Sequence, residues 1–262
     1  NTLPFRDKLP GNVPAGYDYD GCDTGAITNL FDVDAAGNIV CPNGMSYRFL
    51  QLPNNQTMPL HVLQSIEKLV KSGATVVGPK PVRTPGLTGG MAESDEQLQA
   101  LADKLWNDGQ YGKGRVFEAA NFAEIEQQLG LEPDFKVDFN RIQSPMWKAY
   151  NTANDPIEYI HRLDGENNIY FVNSHLLEPE TIDCSFRVSG KTPQLWDPAT
   201  GDIYSVPFEE ANGRTLISIP FEKLGSLFVV FKPADSVEPA PLLTTDKTLL
   251  KEVTGPWELS FD

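Results

Sequence analysis

Apolar residues in the first half of the chain alternate between strand-like and helix-like spacing. Residues 47–52 (YRFLQL) form a short apolar run typical of a strand. Over residues 60–71 apolar side chains recur every three or four positions, which predicts an amphipathic helix. We expect Thr57 to cap this helix and Gly73 to end it. The apolar run 74–78 (ATVVG) then predicts a strand covered on both faces.

The same alternation continues downstream. Ser94, three residues before Gln97, has the spacing of a capping box and predicts the start of a second amphipathic helix. Residues 112–119 (GKGRVFEA) predict the next strand. Asn121 is the expected cap of a short helix that follows it.

This order of elements predicts a Rossmann-like, doubly wound α/β domain over residues 17–136. Its first helix is expected at residues 23–30, and residues 37–44 (GNIVCPNG) are typical of a small ribbon. Residues 1–16 are expected to form an extended N-terminal segment.

The second half has no helical period. Short apolar segments separated by turns predict an antiparallel β-sandwich over residues 137–234. The Pro-rich, acidic residues 235–262 are expected to be a linker followed by the first strand of a further domain. The predicted strands of the sandwich are residues 157–163, 168–174, 181–188, 192–198, 202–208, 214–220 and 226–232.

Composition and charge indicate which classes of partner this protein is unsuited to bind. The 262 residues are 40% hydrophobic and 22% charged, as in ordinary globular proteins, and no apolar run approaches the ~18 residues of a membrane span. The formal net charge of −15 disfavours binding to nucleic acid or to an anionic membrane surface. Neither end resembles a natural terminus. The first residues carry neither Met nor a signal peptide, and the last ones stop on a strand-like alternation of Trp257, Leu259 and Phe261. We therefore expect a piece of a longer chain.

Motifs for covalent catalysis are missing from the sequence. There is no GxSxG nucleophile elbow, and no CxxC pair among Cys22, Cys41 and Cys184. Met91 stands where an amidotransferase-like domain would carry its nucleophilic cysteine. The glycine-rich stretch GLTGG lacks the Lys-Ser/Thr of a phosphate-binding loop. We therefore predict no catalytic residue and no cofactor in this chain.

The most metal-like feature is YDYDGCD, which holds Asp18, Asp20 and Asp23. It begins like a calcium loop, but Gly21 has the wrong offset and Asn29 stands at the closing position instead of Glu. Carboxylates at the start of a helix explain the same residues more simply.

Three aromatic residues of the second half are candidates for stacking on sugar rings: Trp147, Trp196 and Tyr204. The competing interpretation is packing in the core of the sandwich. Paired carboxylates for glycoside cleavage are not excluded by a chain with 36 acidic residues, but none stands out by its surroundings.

Several motifs, in order along nearly the whole chain, resemble the C-terminal half of glycoside hydrolase family 106, the α-L-rhamnosidases. The resemblance implies an accessory region whose α/β part, residues 17–136, is an amidotransferase-like domain. That family cleaves its substrate with carboxylates of an N-terminal (β/α) barrel and needs calcium. It also implies a periplasmic or secreted parent, with the barrel and plant or bacterial glycans as partners. The motifs are GYDYDGCDTGAITNL, GNIVCPNGMSYRFLQLP, LVKSGATVVGPKPVRTPGL, YGKGRVF, IEYIHR, NIYFVNS, FRVSGKTPQLWDPATGDI, GSLFVVFKP and GPWELSFD.

Three hypotheses follow. The first is a non-catalytic accessory region of a large rhamnosidase-like hydrolase. The second is a free-standing carbohydrate-binding protein that uses the β-sandwich and its aromatic residues. The third is an enzyme built around Asp18, Asp20 and Asp23.

Overall fold

The computed structural model describes residues 13–86, 91–107, 109–138, 142, 156–243, 255 and 260. The chain is mixed α/β with several sheets, and it divides into two compact units, Asn1–Glu132 and Pro133–Asp262. In the described part of the chain, no helix is long and apolar enough to cross a membrane.

The first unit contains two small sheets. β1, β2 and β3 form an antiparallel sheet. In the other sheet, ordered β4-β5-β7-β6, strands β4, β5 and β7 are parallel and β6 is antiparallel to β7. The elements are α1 (Thr24–Asn29), β1 (Asp32–Val33), β2 (Ile39–Val40), β3 (Ser46–Tyr47), β4 (Leu50–Gln51), α2 (Leu60–Ser72), β5 (Thr75–Val77), α3 (Met91–Trp106), β6 (Gln110–Tyr111), β7 (Gly114–Phe117) and α4 (Phe122–Leu129).

The predicted amphipathic helix is α2, and its apolar face is buried as expected. Gly73 ends it with φ of +135°, a conformation that favours glycine. The prediction that Thr57 caps it is wrong, because the N-cap residue is Pro59, which makes no side-chain cap. Thr57 is instead held in a parallel bridge with Arg83, whose Nε donates to its Oγ1 at 3.2 Å.

Helix α3 begins earlier than its sequence pattern suggested. It already includes Met91, so Ser94 lies inside the helix and the predicted capping box is wrong. The prediction of an amphipathic helix is confirmed, since Leu98, Ala102 and Leu105 on one face are fully buried. At α4 the prediction is confirmed: Asn121 Oδ1 accepts from the Glu124 amide at 3.1 Å.

One glycine sets how closely β7 approaches α2. A Cβ atom on Gly114 would lie 2.2 Å from the carbonyl oxygen of Ala74 and 2.4 Å from that of Val70. Real Cβ atoms do not approach backbone that closely, so the strand and the end of the helix can pack this way only with glycine here.

The second unit is built from antiparallel strands. We call one sheet, ordered β13-β12-β16-β10-β9, the β10 sheet, and the other, ordered β14-β15-β11-β8, the β15 sheet. Each apolar segment predicted to be a strand forms one, while β8 and β14 were not predicted. The strands are β8 (Phe135–Val137), β9 (Ile157–Asp164), β10 (Asn167–Ser174), β11 (Glu180–Phe186), β12 (Thr192–Trp196), β13 (Ile203–Ser205), β14 (Glu209–Ala211), β15 (Arg214–Phe221) and β16 (Ser226–Lys232).

Both sheets of this unit contribute to one hydrophobic core. Tyr170 and Phe231 from the β10 sheet lie with Phe186 from the β15 sheet in an aromatic cluster, with ring centroids 4.9–5.7 Å apart. Along β10 and β11 buried residues alternate with more exposed ones, as the pleat of a sheet requires. This arrangement is what the predicted sandwich requires.

Polar side chains also hold the beginning of this unit. The Arg214 guanidinium donates to the carbonyl oxygens of Pro133 at 2.8 Å, Asp134 at 3.2 Å and Ser185 at 2.9 Å. The Asp134 carboxylate contacts His161 Nδ1 at 2.8 Å and accepts from Arg187 at 3.1 Å. Burial raises the pKa of Asp134, but the hydrogen bond and charge of His161 and the charge of Arg187 outweigh burial, so the net shift is downward.

Part of the stretch expected to be a linker is bound to the β10 sheet. Beyond a 3-10 turn at Ala234–Ser236, the Ser205 amide donates to Pro241 O at 2.9 Å, and the Leu243 amide donates to Ser205 O at 2.9 Å. Gln194 Nε2 also donates to Glu238 O at 3.0 Å. These bonds place residues 241–243 beside edge strand β13 and Glu238 beside Gln194 of β12.

Candidate functional site

The first unit contains an open cavity of about 880 Å³. Its wall is formed by the segment that precedes α1, by strands β2 to β4 and by the start of α4. The metal-like motif of the sequence therefore lines a real concavity. The polar and aromatic residues around it are Tyr17, Asp18, Tyr19, Asp20, Cys22, Asp23, Phe31, Cys41, Ser46, Tyr47, Arg48, Phe49, Gln51 and Phe122.

A tyrosine–carboxylate pair lies in the cavity wall. The Tyr47 hydroxyl donates to Asp20 Oδ2 at 2.8 Å and so joins β3 to the segment before α1. Burial raises the pKa of Tyr47 well above its usual value, and the neighbouring Asp20 carboxylate raises it further. Tyr47 therefore stays protonated at neutral pH and acts as a hydrogen-bond donor, not as a base.

The other two aspartates of the motif serve the backbone. Asp23 is the N-cap of α1, with Oδ1 accepting from the Ala26 amide at 2.8 Å. Asp18 Oδ1 accepts from the Tyr19 amide at 3.0 Å. The helix-start interpretation of this motif is thus confirmed for Asp23.

Each of the three aspartates already accepts a hydrogen bond from a different group of the protein. Calcium takes six to eight oxygen ligands converging on one point, whereas Asp18, Asp20 and Asp23 each hold a different donor of the protein. Among the residues that the structure describes, no group of three or more His, Cys, Asp or Glu side chains could hold a metal ion. The residues present therefore do not fit the calcium that the family resemblance implies.

Cys22 and Cys184 are not activated for nucleophilic attack. Burial raises the pKa of Cys22, and the charges of Asp23 and Cys41 raise it further. Burial likewise raises the pKa of Cys184, which lies in the core of the second unit. A catalytic cysteine needs a lowered pKa and a positive neighbourhood, so neither of these residues has that chemistry.

Trp196 lies on the outer face of the β10 sheet and is half-buried there. The Lys232 ammonium lies 5.0 Å from the centre of its ring. The Trp196 indole N–H is buried with no acceptor among the described residues. Its ring is therefore partly covered by the protein's own lysine.

The structure does not bring the candidates Trp196 and Tyr204 together. Tyr204 pairs across the sheet with Leu195, a core residue, whereas Trp196 is the next residue and pairs with Ile203. Because successive side chains alternate between faces, Trp196 and Tyr204 belong to opposite faces of the sheet. The Tyr204 hydroxyl donates to Asp202 Oδ2 at 3.4 Å, and Trp147 lies outside the described residues.

Two features of these sites were missed by sequence reasoning. The role of Tyr47 depends on Asp20, which is distant in sequence, so no local pattern pointed to it. The outer-face neighbours Phe171 and Phe228 had a signal, because the run LFVVF in β16 is apolar at consecutive positions. Such a run indicates a strand that is covered on both faces.

The comparisons with known proteins agree with the motif resemblance. The family profile of the α-L-rhamnosidases, glycoside hydrolase family 106, matches residues 1–210. A Formosa agariphila protein named "Putative beta-glucuronidase" is 32% identical over 250 residues, which are 95% of this chain and 20% of that protein.

A solved structure gives the same assignment. The rhamnosidase from Novosphingobium sp. PP1Y matches with 29% identity and a TM-score of 0.73, over 89% of this chain and 21% of that one. The chain thus spans about a fifth of the length of each of these relatives. The resemblance noted from the motifs is confirmed, and the chain belongs to glycoside hydrolase family 106, the α-L-rhamnosidase family.

Proposed function

We propose that this chain is a non-catalytic accessory region of a large rhamnosidase-like glycoside hydrolase. The observation that carries the proposal is the disproportion in length: 95% of the chain corresponds to only 20% of a relative. A catalytic barrel would be supplied by other parts of the polypeptide. The role of this region is then to pack against that barrel and support it.

The chemistry of the cavity supports this proposal. Glycoside cleavage needs two carboxyl groups on either side of the bond, about 5–10 Å apart, one to protonate the leaving oxygen and one to attack or activate water. In the cavity, Asp20 accepts a hydrogen bond from the Tyr47 hydroxyl, and Asp23 caps helix α1. Both carboxylates are thus used to hold the fold.

The element order supports the finer fold assignment. In the first unit, β4, α2, β5 and α3 follow one another, and β7 comes after the short antiparallel strand β6. Strands β4, β5 and β7 are parallel and adjacent in that order. This succession is that of a Rossmann-like half. Met91 begins α3, where an amidotransferase-like domain would need a nucleophilic cysteine, which fits an accessory role. We infer a Rossmann-like unit followed by a β-sandwich.

The experiment compares this chain with its complete gene product. Sequencing upstream of the Asn1 codon should extend the reading frame by several hundred codons that encode a barrel. Both proteins are then assayed on an aryl α-L-rhamnoside, and turnover is expected only from the complete product. Turnover by residues 1–262 alone, removed by Asp20→Asn, would overturn the proposal in favour of an enzyme in this chain.

The proposal extends to the cellular location of the parent protein and to its calcium ion. The parent is exported to the periplasm or medium, and its calcium is held outside this chain. Fractionation of the source cells tests the first statement. Calcium titration of residues 1–262, followed by calorimetry, tests the second, and saturable heat lost in Asp18→Asn would overturn it.

A further inference from the structure

A row of large apolar side chains crosses the outer face of the β10 sheet. Ile203 pairs with Trp196, Trp196 with Phe228, Phe228 with Phe171, and Phe171 with Ile160, so one residue from each strand lies in register. We call these residues the outer row. At the usual spacing of about 4.8 Å between strands, the outer row is about 19 Å long.

The outer row is open to solvent, which is unusual for such residues in a folded domain. Ile160 is 47% exposed and Ile203 36% exposed, and the three aromatic residues between them are half-buried. The opposite face of the same strands forms the core of the unit. Antiparallel sheets with one solvent-exposed face normally alternate apolar and polar residues along each strand. The β10 sheet instead has the pattern of a sheet that is covered on both faces.

Polar groups border the outer row on both sides. On one side Asn173 and Glu158 are paired across the sheet, and His175 Nε2 lies 3.1 Å from Glu158 Oε2. On the other side, the next positions of the same face hold Arg162, Ile169, Val230 and Gln194, and Lys232 lies two residues beyond Val230. Val230 and Gln194 are buried there, so the polar rim on this side consists of Arg162, Gln194 and Lys232. An apolar centre with a charged and polar rim is the usual anatomy of a protein–protein interface.

The row fits a domain of the same polypeptide better than other occupants. A sugar ring needs a flat, open aromatic face, but Lys232 covers Trp196, and the rings of Phe171 and Phe228 are tilted by 55° to one another. A stable homodimer buries about 800 Å² on each partner. A row about 19 Å long and one side chain wide offers well under half of that area.

The length of the relatives indicates what covers the outer row. Nearly all of this chain matches about a fifth of each relative, so in those proteins the corresponding region is part of a much longer polypeptide. Interfaces between domains of one chain are smaller than those of stable dimers, because the covalent link supplies a high local concentration. A short row with a polar rim suits that case.

We propose that the outer row of the β10 sheet is the surface on which another domain of the same polypeptide packs. The inference rests on the proposed function, which makes this chain one region of a longer hydrolase. It goes beyond it by assigning the contact to Ile160, Phe171, Trp196, Phe228 and Ile203.

The test is hydroxyl-radical footprinting of the complete gene product beside residues 1–262, with labelled residues identified by mass spectrometry. Phe171, Trp196 and Phe228 should be labelled at least about fivefold more slowly in the complete protein. Ile160→Thr should lower the melting temperature of the complete protein but not that of residues 1–262. Leu216→Thr is the matched control, since Leu216 is 39% exposed on the β15 sheet, and it should change neither.

Equal labelling of the row in both proteins would overturn the inference. So would a dimer of residues 1–262 in sedimentation that Ile160→Thr dissociates, or protection of the row by rhamnose-containing glycans. Activity measured on the same preparations separates the two proposals. A complete protein that is active, beside an inert 1–262 with an equally labelled row, would leave the accessory role standing and remove only the docking surface.

Discussion

Arg214 is the buried cation whose removal should cost the second unit most. It is only 7% exposed, and its Nε also donates to Ser185 Oγ at 2.8 Å, in addition to the bonds to the backbone carbonyls of Pro133, Asp134 and Ser185. These contacts join β15 to β11 and to the chain that leads into β8. Arg214→Met keeps a long apolar side chain but removes every donor.

The size of the effect follows from these contacts. A buried hydrogen bond to a charged group is worth about 1.5–3 kcal/mol, but Asp134 O keeps the bond from the Arg187 amide, and the variant no longer buries a charge. We expect a net loss of about 3 kcal/mol in the free energy of unfolding of this unit. Arg214→Lys keeps the charge but lacks the planar fork, so its cost should be about 1–2 kcal/mol.

Amide hydrogen exchange is the suitable assay, because it reports on each unit separately. For Arg214→Met, exchange of the amides in β11 and β15 should be about 100-fold faster than in the natural protein, since 1.4 kcal/mol corresponds to a factor of ten. Amides of α2, in the first unit, are the internal control and should not change. Protection of β11 and β15 within threefold of the natural value would refute the reasoning.

Three further predictions test other parts of the structure. Gly114→Ala should destabilise the first unit by about 3 kcal/mol or more because its Cβ meets backbone oxygens, whereas Gly165→Ala, in open space, should cost about 1 kcal/mol in the same thermal melts. Burial opposes ionisation of Asp134, but the hydrogen bond and charge of His161 and the charge of Arg187 together outweigh burial, so the pKa is lowered. The second unit should therefore lose stability as pH falls below about 4, and Asp134→Asn should flatten that loss in melts across the acid range; equal slopes would contradict this. Titration of residues 1–262 with L-rhamnose in a calorimeter should give no saturable heat, and heat abolished by Trp196→Ala would instead support the carbohydrate-binding alternative.

Local patterns were informative wherever one face of an element is buried. The seven apolar segments of the second unit became strands because short apolar runs bounded by turns, with no helical period, favour β-strands. The buried face of α2 and the cap at Asn121 were likewise predictable, since both depend on residues within one helical turn or one apolar stripe.

Predictions failed where contacts or helix boundaries outside the local pattern determined what a residue does. Thr57 has the right side chain for a cap, but a bridge to Arg83 holds it. Ser94 has the spacing of a capping box, but α3 already includes Met91. The short strands β8 and β14 carry little pattern of their own and exist because they add to the edges of the β15 sheet.

The sequence by itself determined the family, the helices and strands with strong periodicity, and the absence of the common covalent-catalysis motifs, because these depend on residue identity and local spacing. Only the tertiary structure decided that Asp20 meets Tyr47, that Trp196 and Tyr204 belong to opposite faces, and that Ile160, Phe171 and Trp196 share one row. The physical reason is that register and packing between elements arise from contacts between residues far apart in the chain. A shift of one residue in strand pairing would reverse each of these faces.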